Sequence, residues 1–180
     1  MAIKSNNEYR LENGYAVLIC KNRKGEIFES KIDLEDLERV LNFSYKWFYL
    51  YVYNGYIRST VYLGIINGKP KNTVMLLHHF ITGASKEIII DHINRDTLDN
   101  RKGNLRIVNS SENLMNRKRR NSNNTTGYRN VAKVKNEFIV QLQVNGKNTR
   151  LGRFKTAKEA GEFAKEMRKK YYGEFEGSDD

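Results

Sequence analysis

The sequence predicts an α+β chain in three parts. A strand-rich N-terminal region covers residues 1–73, and a strand–loop–strand–helix unit covers 74–120. Past a linker at 121–127, a three-stranded antiparallel sheet packs on one helix over 128–176. Three observations carry this prediction. Short apolar runs recur between Gly- and Asn-containing turn signals. Helical spacing of apolar residues is confined to a few stretches. The tract NSNNTTG at 121–127 contains no apolar residue and separates two patterned regions.

In chain order, YAVLIC (15–20) and EIFESKI (26–32) read as strands around the turn-like NRKG at 22–25. Asp33 is a plausible N-cap for a helix carrying Leu34, Leu37, Val40 and Leu41. KWFYLYVY and YIRSTVYL flank Asn54-Gly55, a strong short-hairpin signal. VMLLHHFI reads as a short apolar helix, EIII (87–90) and NLRIV (104–108) as strands around the polar loop INRDTLDNRKG. Ser110 or Ser111 can cap a helix through SENLMNRKRR. Beyond the linker, YRNVAKVK (128–135), EFIVQLQV (137–144) and TRLGRF (149–154) read as strands, with turns at Asn136-Glu137 and Asn145-Gly146. Thr156 and Glu159 form a capping-box pattern ahead of a helix to about Tyr172. Its apolar face is Ala160, Phe163, Ala164, Met167 and Tyr171.

Charge narrows the class of partner. The net charge is +11, unevenly placed: 11 basic against 8 acidic residues in 1–73, 5 against 5 in 74–116, and 16 against 8 in 117–180. Such an excess points to a polyanion, with nucleic acid ahead of a membrane surface. No apolar run approaches the ~20 residues that span a bilayer. The N-terminal MAIKSNNEYR lacks the apolar stretch of a signal peptide, so a cytoplasmic location and no membrane partner are expected. The single cysteine, Cys20, excludes a disulfide framework within the chain and a multi-cysteine structural zinc site. It reads as a packed, inert residue.

All three histidines, His78, His79 and His92, lie in the neutral middle segment. His78 and His79 sit in an apolar helix; at least one of them reads as a packed or hydrogen-bonded core residue, and neither belongs to the catalytic set. His92 follows Asp91 at the end of an apolar strand, with Asn104 and Asn113 downstream, the latter in the first turn of a helix. A strand–loop–strand hairpin can bring Asp91 and His92 beside that turn. Asp91 and Asn113 would then offer two oxygens to one hard divalent cation, Mg2+ or Mn2+. His92 titrates close enough to neutrality to act as general base toward water.

The run IIIDHINRDTLDNRKGNLRIVNSSENLMNR resembles the core of the HNH endonucleases, more narrowly the phage and intron-associated homing endonucleases with a ββα-metal active site. The resemblance implies that Asp91 and Asn113 are metal ligands and His92 the general base. It implies that Asn104 braces the loop and orients the histidine. His79 stands where many relatives carry Arg. The C-terminal run from TTGYRNV through RLGRFKTAKEA is similar to the ethylene-response-factor type of DNA-binding domain, whose three-stranded sheet enters the major groove with a helix behind it. Alternation in the middle strand supports this independently. Phe138, Val140, Leu142 and Val144 would pack on the helix, leaving Gln141 and Gln143 outward with Arg129, Lys133, Lys135 and Arg150. Arg117, Lys118, Arg119 and Arg120 are expected to contact phosphates.

Together these readings predict a site-specific, metal-dependent DNA endonuclease of the homing type acting on double-stranded DNA as a monomer. It would nick one strand per active site, in a bacterial or phage-infected cell. The alternatives are a non-catalytic, sequence-specific DNA-binding regulator and a structure-directed or RNA-acting nuclease, since phosphate contacts are common to all.

Overall fold

A computed structural model describes residues 7–51, 55–116 and 123–177. The chain packs as two compact units, residues 1–107 and 108–180, and the fold is α+β with several small antiparallel sheets.

In the first unit, β1 (Tyr9–Glu12), β2 (Tyr15–Lys21) and β3 (Ile27–Asp33) form one sheet in sequential order. Alternation along β2 buries Ala16, Leu18 and Cys20 together, the period expected of a half-covered sheet. Helix α1 (Leu34–Leu41) follows directly. Asp33 occupies its N-cap, but no side-chain cap bond forms; instead Asp33 Oδ2 accepts from Lys102 N at 2.7 Å. A second sheet holds β4 (Phe48–Leu50), β5 (Tyr56–Ile66) and β6 (Lys69–Leu76). Trp47, fully buried, packs with Val40, Tyr49, Ile57 and Leu77 in the same core. Asn7 ties this segment to β2, donating to Ile19 O and Trp47 O and accepting from Trp47 N. Helix α2 (Leu77–Thr82) leads to β7 (Ile89–His92), which pairs with β8 (Leu105–Val108) in a two-stranded sheet. Burial pushes the Cys20 thiol up to about 12, as an inert packed residue requires.

In the second unit, α3 (Ser110–Met115) precedes β9 (Val131–Val134), β10 (Glu137–Val144) and β11 (Lys147–Phe154). These strands form an antiparallel sheet in the order β11-β10-β9. It packs on α4 (Ala157–Tyr172) through Val131, Val140, Leu142, Ala160 and Ala164. Asn145 and Gly146 have φ of 50° and 75°, the positive pair a tight two-residue hairpin requires. Thr156 accepts from Glu159 N at 3.2 Å and caps α4.

The structure departs from the sequence reading in several places. Strands β1 and β6 were not anticipated, and residues 74–76 end β6 rather than open a helix. The β4–β5 connection spans residues 51–55, longer than a two-residue turn. Asn54 lies outside the described residues, while Gly55 keeps a φ of 75°. The cap of α3 is Asn109, with a full capping box to Glu112, instead of Ser110 or Ser111. Tyr172, not Tyr171, closes the α4 face; its hydroxyl accepts from Gln143 N at 3.0 Å.

Candidate active site

Strand β7 ends in Asp91 and His92, both buried (8% and 4% exposed). The chain then leaves the sheet in a polar loop, and that loop is stitched in place by its own side chains. Asn94 Oδ1 accepts from Asp96 N, and Asp96 Oδ1 from Leu98 N. Asn94 Nδ2 donates to Asp99 Oδ2 at 2.9 Å, and Arg101 grips both Asp99 oxygens at 2.7 and 2.6 Å. Burial pushes the Asp99 carboxyl up, but the Arg101 guanidinium outweighs it, so the group sits below its ordinary value and stays charged. Such Asx turns suit Asn and Asp because their side chains bond backbone amides two residues on.

Asn104 closes the loop. Its Oδ1 accepts from Asn94 N at 2.9 Å, its Nδ2 donates to Asp99 O at 2.7 Å, and its backbone carbonyl accepts from Ile93 N at 2.9 Å. It thus braces both ends of the segment that follows His92. A contact of the His92 ring involves another residue of the loop: Nε2 lies 3.4 Å from Asn100 Oδ1. Sequence reasoning missed Asn100, although it stands in the polar loop INRDTLDNRKG; a buried Asn there is silent until its partners are known.

Arg106, also missed, lies two residues past Asn104 on β8. Its Nε and Nη2 each lie 2.9 Å from Asp91 Oδ2. A carboxylate this deep needs such a partner. The signal was available: an Arg inside a four-residue apolar strand has to find a counter-charge.

His78 and His79 are buried on α2, as expected of packed residues. The His78 ring meets His92 edge-on at 5.3 Å and Tyr56 at 5.5 Å. Burial, then the neighbouring histidines, pull His78 down to about 3. Burial also pulls His92 below its ordinary value, against opposing contributions from Asn100 and nearby aspartates. Both rings are therefore neutral near pH 7, and a neutral imidazole is the form that accepts a proton.

Asn113 is exposed on α3, in the second unit. Among the described residues, no group of three or more His, Cys, Asp or Glu is placed to hold a metal ion.

A family model described as HNH endonuclease matches residues 82–115. This segment is of the ββα type, and the match supports a nuclease acting on phosphodiester bonds. It contains Asp91, His92, Asn104 and Asn113. Searches of the curated proteins and of the solved structures each found no match.

The sheet of the second unit carries the other predicted residues. Gln141 pairs with Arg150 and Gln143 with Asn148, so these four share the face turned away from α4. Exposed Arg153, opposite Ile139, joins them and pairs with Glu137 at 3.3 Å. Two predicted members do not belong there. Lys133 lies opposite Phe138, which packs toward α4, so Lys133 is on the helix side. Arg129 is 2% exposed, and its guanidinium donates to Met115 O at 2.6 Å and Glu176 O at 3.1 Å. Lys135 is exposed in the β9–β10 turn. Ile139, on the same strand, is buried. Arg117, Lys118, Arg119 and Arg120 lie outside the described residues. Among the described residues, no helix is long and apolar enough to cross a membrane.

Proposed function

We propose that this protein is a site-specific, metal-dependent DNA endonuclease of the homing type, nicking one strand of double-stranded DNA per active site. The observation that carries the reading is the Asp91-His92 pair at the end of β7, in a loop braced by Asn104, inside the segment matched by the HNH family.

His92 takes the proton from the water that attacks the scissile phosphate, acting as general base. Its burial keeps the imidazole neutral for that task. Asn104 holds the loop, and with it the direction in which the His92 ring leaves the sheet. Asp91 and Asn113 would hold Mg2+ or Mn2+. A donor set of one carboxylate and one amide oxygen fits such an ion, which commonly keeps several waters and needs few protein ligands. When bound, the ion supplies positive charge where the phosphodiester is cleaved. Arg106 orients Asp91 and supplies its counter-charge in that buried setting. Gln141, Gln143 and Arg150 read base edges, since Gln matches adenine and Arg matches guanine through paired hydrogen bonds. Lys135 and residues 117–120 add phosphate contacts.

The test is nicking of supercoiled plasmid DNA with Mg2+. The wild-type chain should produce open circles, and EDTA should stop it. His92→Ala should lose at least about 100-fold in rate, the lower range for a general base, while retaining duplex binding in a mobility-shift assay. A wild-type chain that binds DNA and cleaves none with Mg2+ or Mn2+ would make it a DNA-binding regulator.

A further inference from the structure

Strand β5 outruns the sheet it starts in. Its pairing with β4 covers only Tyr56–Arg58. From Ser59 opposite Met75 to Ile66 opposite Lys69, it pairs with β6 alone. The result is a two-stranded ribbon roughly 25 Å long, at about 3.3 Å per residue. The root is packed: Ile57 and Ser59 are buried, and Met75 joins the core of the first unit. The outer part is uncovered. Tyr62, Leu63, Ile65, Ile66 and Val74 are exposed, Ile65 at 69%. Large apolar side chains gathered in one exposed place mark a contact surface.

One face of the ribbon begins at the candidate active site. Tyr56 opens it, with its ring 6.2 Å from that of His92. The period of two puts Arg58, Thr60 and Tyr62 on the same side. Their cross-strand partners, Leu76, Val74 and Asn72, share that face. Arg58 lies over the Phe48 ring at 5.3 Å, and its Nε has no hydrogen-bond partner among the described residues. A bulge at Leu63 shifts the register on β5, so that Ile65 stands opposite Pro70. Pro70 continues the Leu76, Val74, Asn72 row of β6 out to the tip. Lys69 and Lys71, both exposed, stand on the opposite side of the tip.

Charge selects the occupant. No Asp or Glu occurs between Glu38 and Glu87, while Arg39, Lys46, Arg58, Lys69, Lys71 and Lys86 do. A face made for a second copy has no reason to shed acids over such a length; one made for a polyanion does. A two-stranded ribbon is also narrow enough to enter a groove of duplex DNA, and Ile and Pro are side chains that pack between base steps. We propose that the β5–β6 ribbon is an arm that lies along the duplex beside the scissile phosphate. Lys69 and Lys71 meet phosphates there, and Ile65 and Pro70 pack into the groove. The proposal rests on duplex DNA being the substrate of the proposed nuclease. It gives the N-terminal region, which the sequence left without a task, a share in holding that substrate.

The test is a mobility shift of the full-length protein in EDTA, over a range of salt, on random-sequence duplexes of about 40 bp, long enough for several phosphate contacts. Lys69→Gln combined with Lys71→Gln should weaken binding and lower the slope of log affinity against log salt by about two, at roughly 0.9 per phosphate contact. Ile65→Ser should weaken binding about 10-fold, the lower range for uncovering an aliphatic side chain, and leave the slope unchanged. All three side chains are exposed, so thermal unfolding of the variants should match wild type. Wild-type affinity and slope in both variants would overturn the proposal. So would a lowered slope with no effect of Ile65→Ser, which stray surface charge alone would produce. An Ile65-dependent dimer in sedimentation would make a second copy the occupant and overturn it too. If the variants bind weakly as expected but the wild-type protein nicks no plasmid with Mg2+ or Mn2+, the nuclease reading falls and the arm stands. If the wild-type protein nicks and both variants bind as it does, the arm falls and the nuclease reading stands.

Discussion

Two side chains, Arg129 and His78, show what a sequence withholds at the level of single residues. Arg129 sits in a basic strand-like run, and nothing local separates it from its solvent-facing neighbours. Its burial follows from two carbonyls, Met115 O and Glu176 O, brought in from either end of the second unit. Arg129→Ala should therefore cost roughly 2–4 kcal/mol of that unit's stability, since hydrogen bonds from charged groups contribute about 1.5–3 each and do not add fully. At a temperature where the variant is folded, its DNA affinity should match wild type. Urea unfolding and a mobility shift measure the two, and weakened binding without destabilisation would return Arg129 to the DNA face. Asp91, His92 and Asn104 were legible because their spacing is local and their chemistry distinctive; Asn100 and Arg106 were not, because their roles exist only through a partner. His78 makes a pH prediction. Its folded value of about 3, caused first by burial and then by His92 and His79, lies below the ordinary 6.5. The unfolded chain thus takes up a proton on acidification that the folded one refuses. The stability His78 contributes is intact above about pH 6.5 and is lost as pH falls toward 3, at no more than ~1.4 kcal/mol per pH unit. Tyr56, His79 and His92 face the same ring, and His92 titrates alongside it. His78→Leu should therefore flatten, without abolishing, the fall in stability between pH 7 and 4.5. Parallel curves for the two proteins would refute this.

Among the elements, legibility followed burial. The strands β2, β3 and β10 alternate because one face is covered, and the alternation is visible. Strand β1 (YRLE) is exposed along its length, and β6 carries Pro70 among Lys and Asn, so neither leaves a hydrophobic signature. Both lie at sheet edges, where Pro and charge are tolerated. The cap of α3 was displaced by one residue because Asn109, Ser110 and Ser111 are all good caps; Glu112 decides it, standing three after Asn109. Helix α4 tests how closely an element is fitted. Gly161, mid-helix, would ordinarily be improved by alanine by about 1 kcal/mol. Here a β-carbon at 161 would run into the Tyr128 ring, and overpacking costs about 1–3 kcal/mol. Packing should win, so Gly161→Ala should lower the melting temperature of the second unit. A rise would mean that Tyr128 moves aside at little cost.

For the whole molecule, the question is whether chemistry and address can be cut apart. Tract 121–127 reads as a linker, but its described part is tied down: Asn124 donates to Tyr128 O at 2.8 Å and to Val131 O at 3.2 Å, and Thr126 bonds the same carbonyls. Helix α3, which carries Asn113, has six residues, too few to hold together alone in water. Its support comes from the C-terminal sheet and helix, with Met115 packed in their core and Arg129 on its carbonyl. A chain ending at residue 120 keeps Asp91, His92, Asn104 and Asn113 in sequence but loses what holds the last of them. Its plasmid nicking should fall to background, rather than continue with poor site choice. Surface changes should separate the two tasks where truncation cannot. Gln141→Ala and Arg150→Ala remove exposed side chains, so stability should stay within about 0.5 kcal/mol of wild type. On a randomised duplex library each should relax base preference by roughly 1–3 kcal/mol at one position, with the salt dependence of binding moving only for Arg150. If the truncated chain nicks plasmid at the wild-type rate, α3 is dispensable and Asn113 is not a metal ligand. If both surface variants keep the wild-type preference, the sheet of the second unit does not read bases, and the search for the address moves to the first unit.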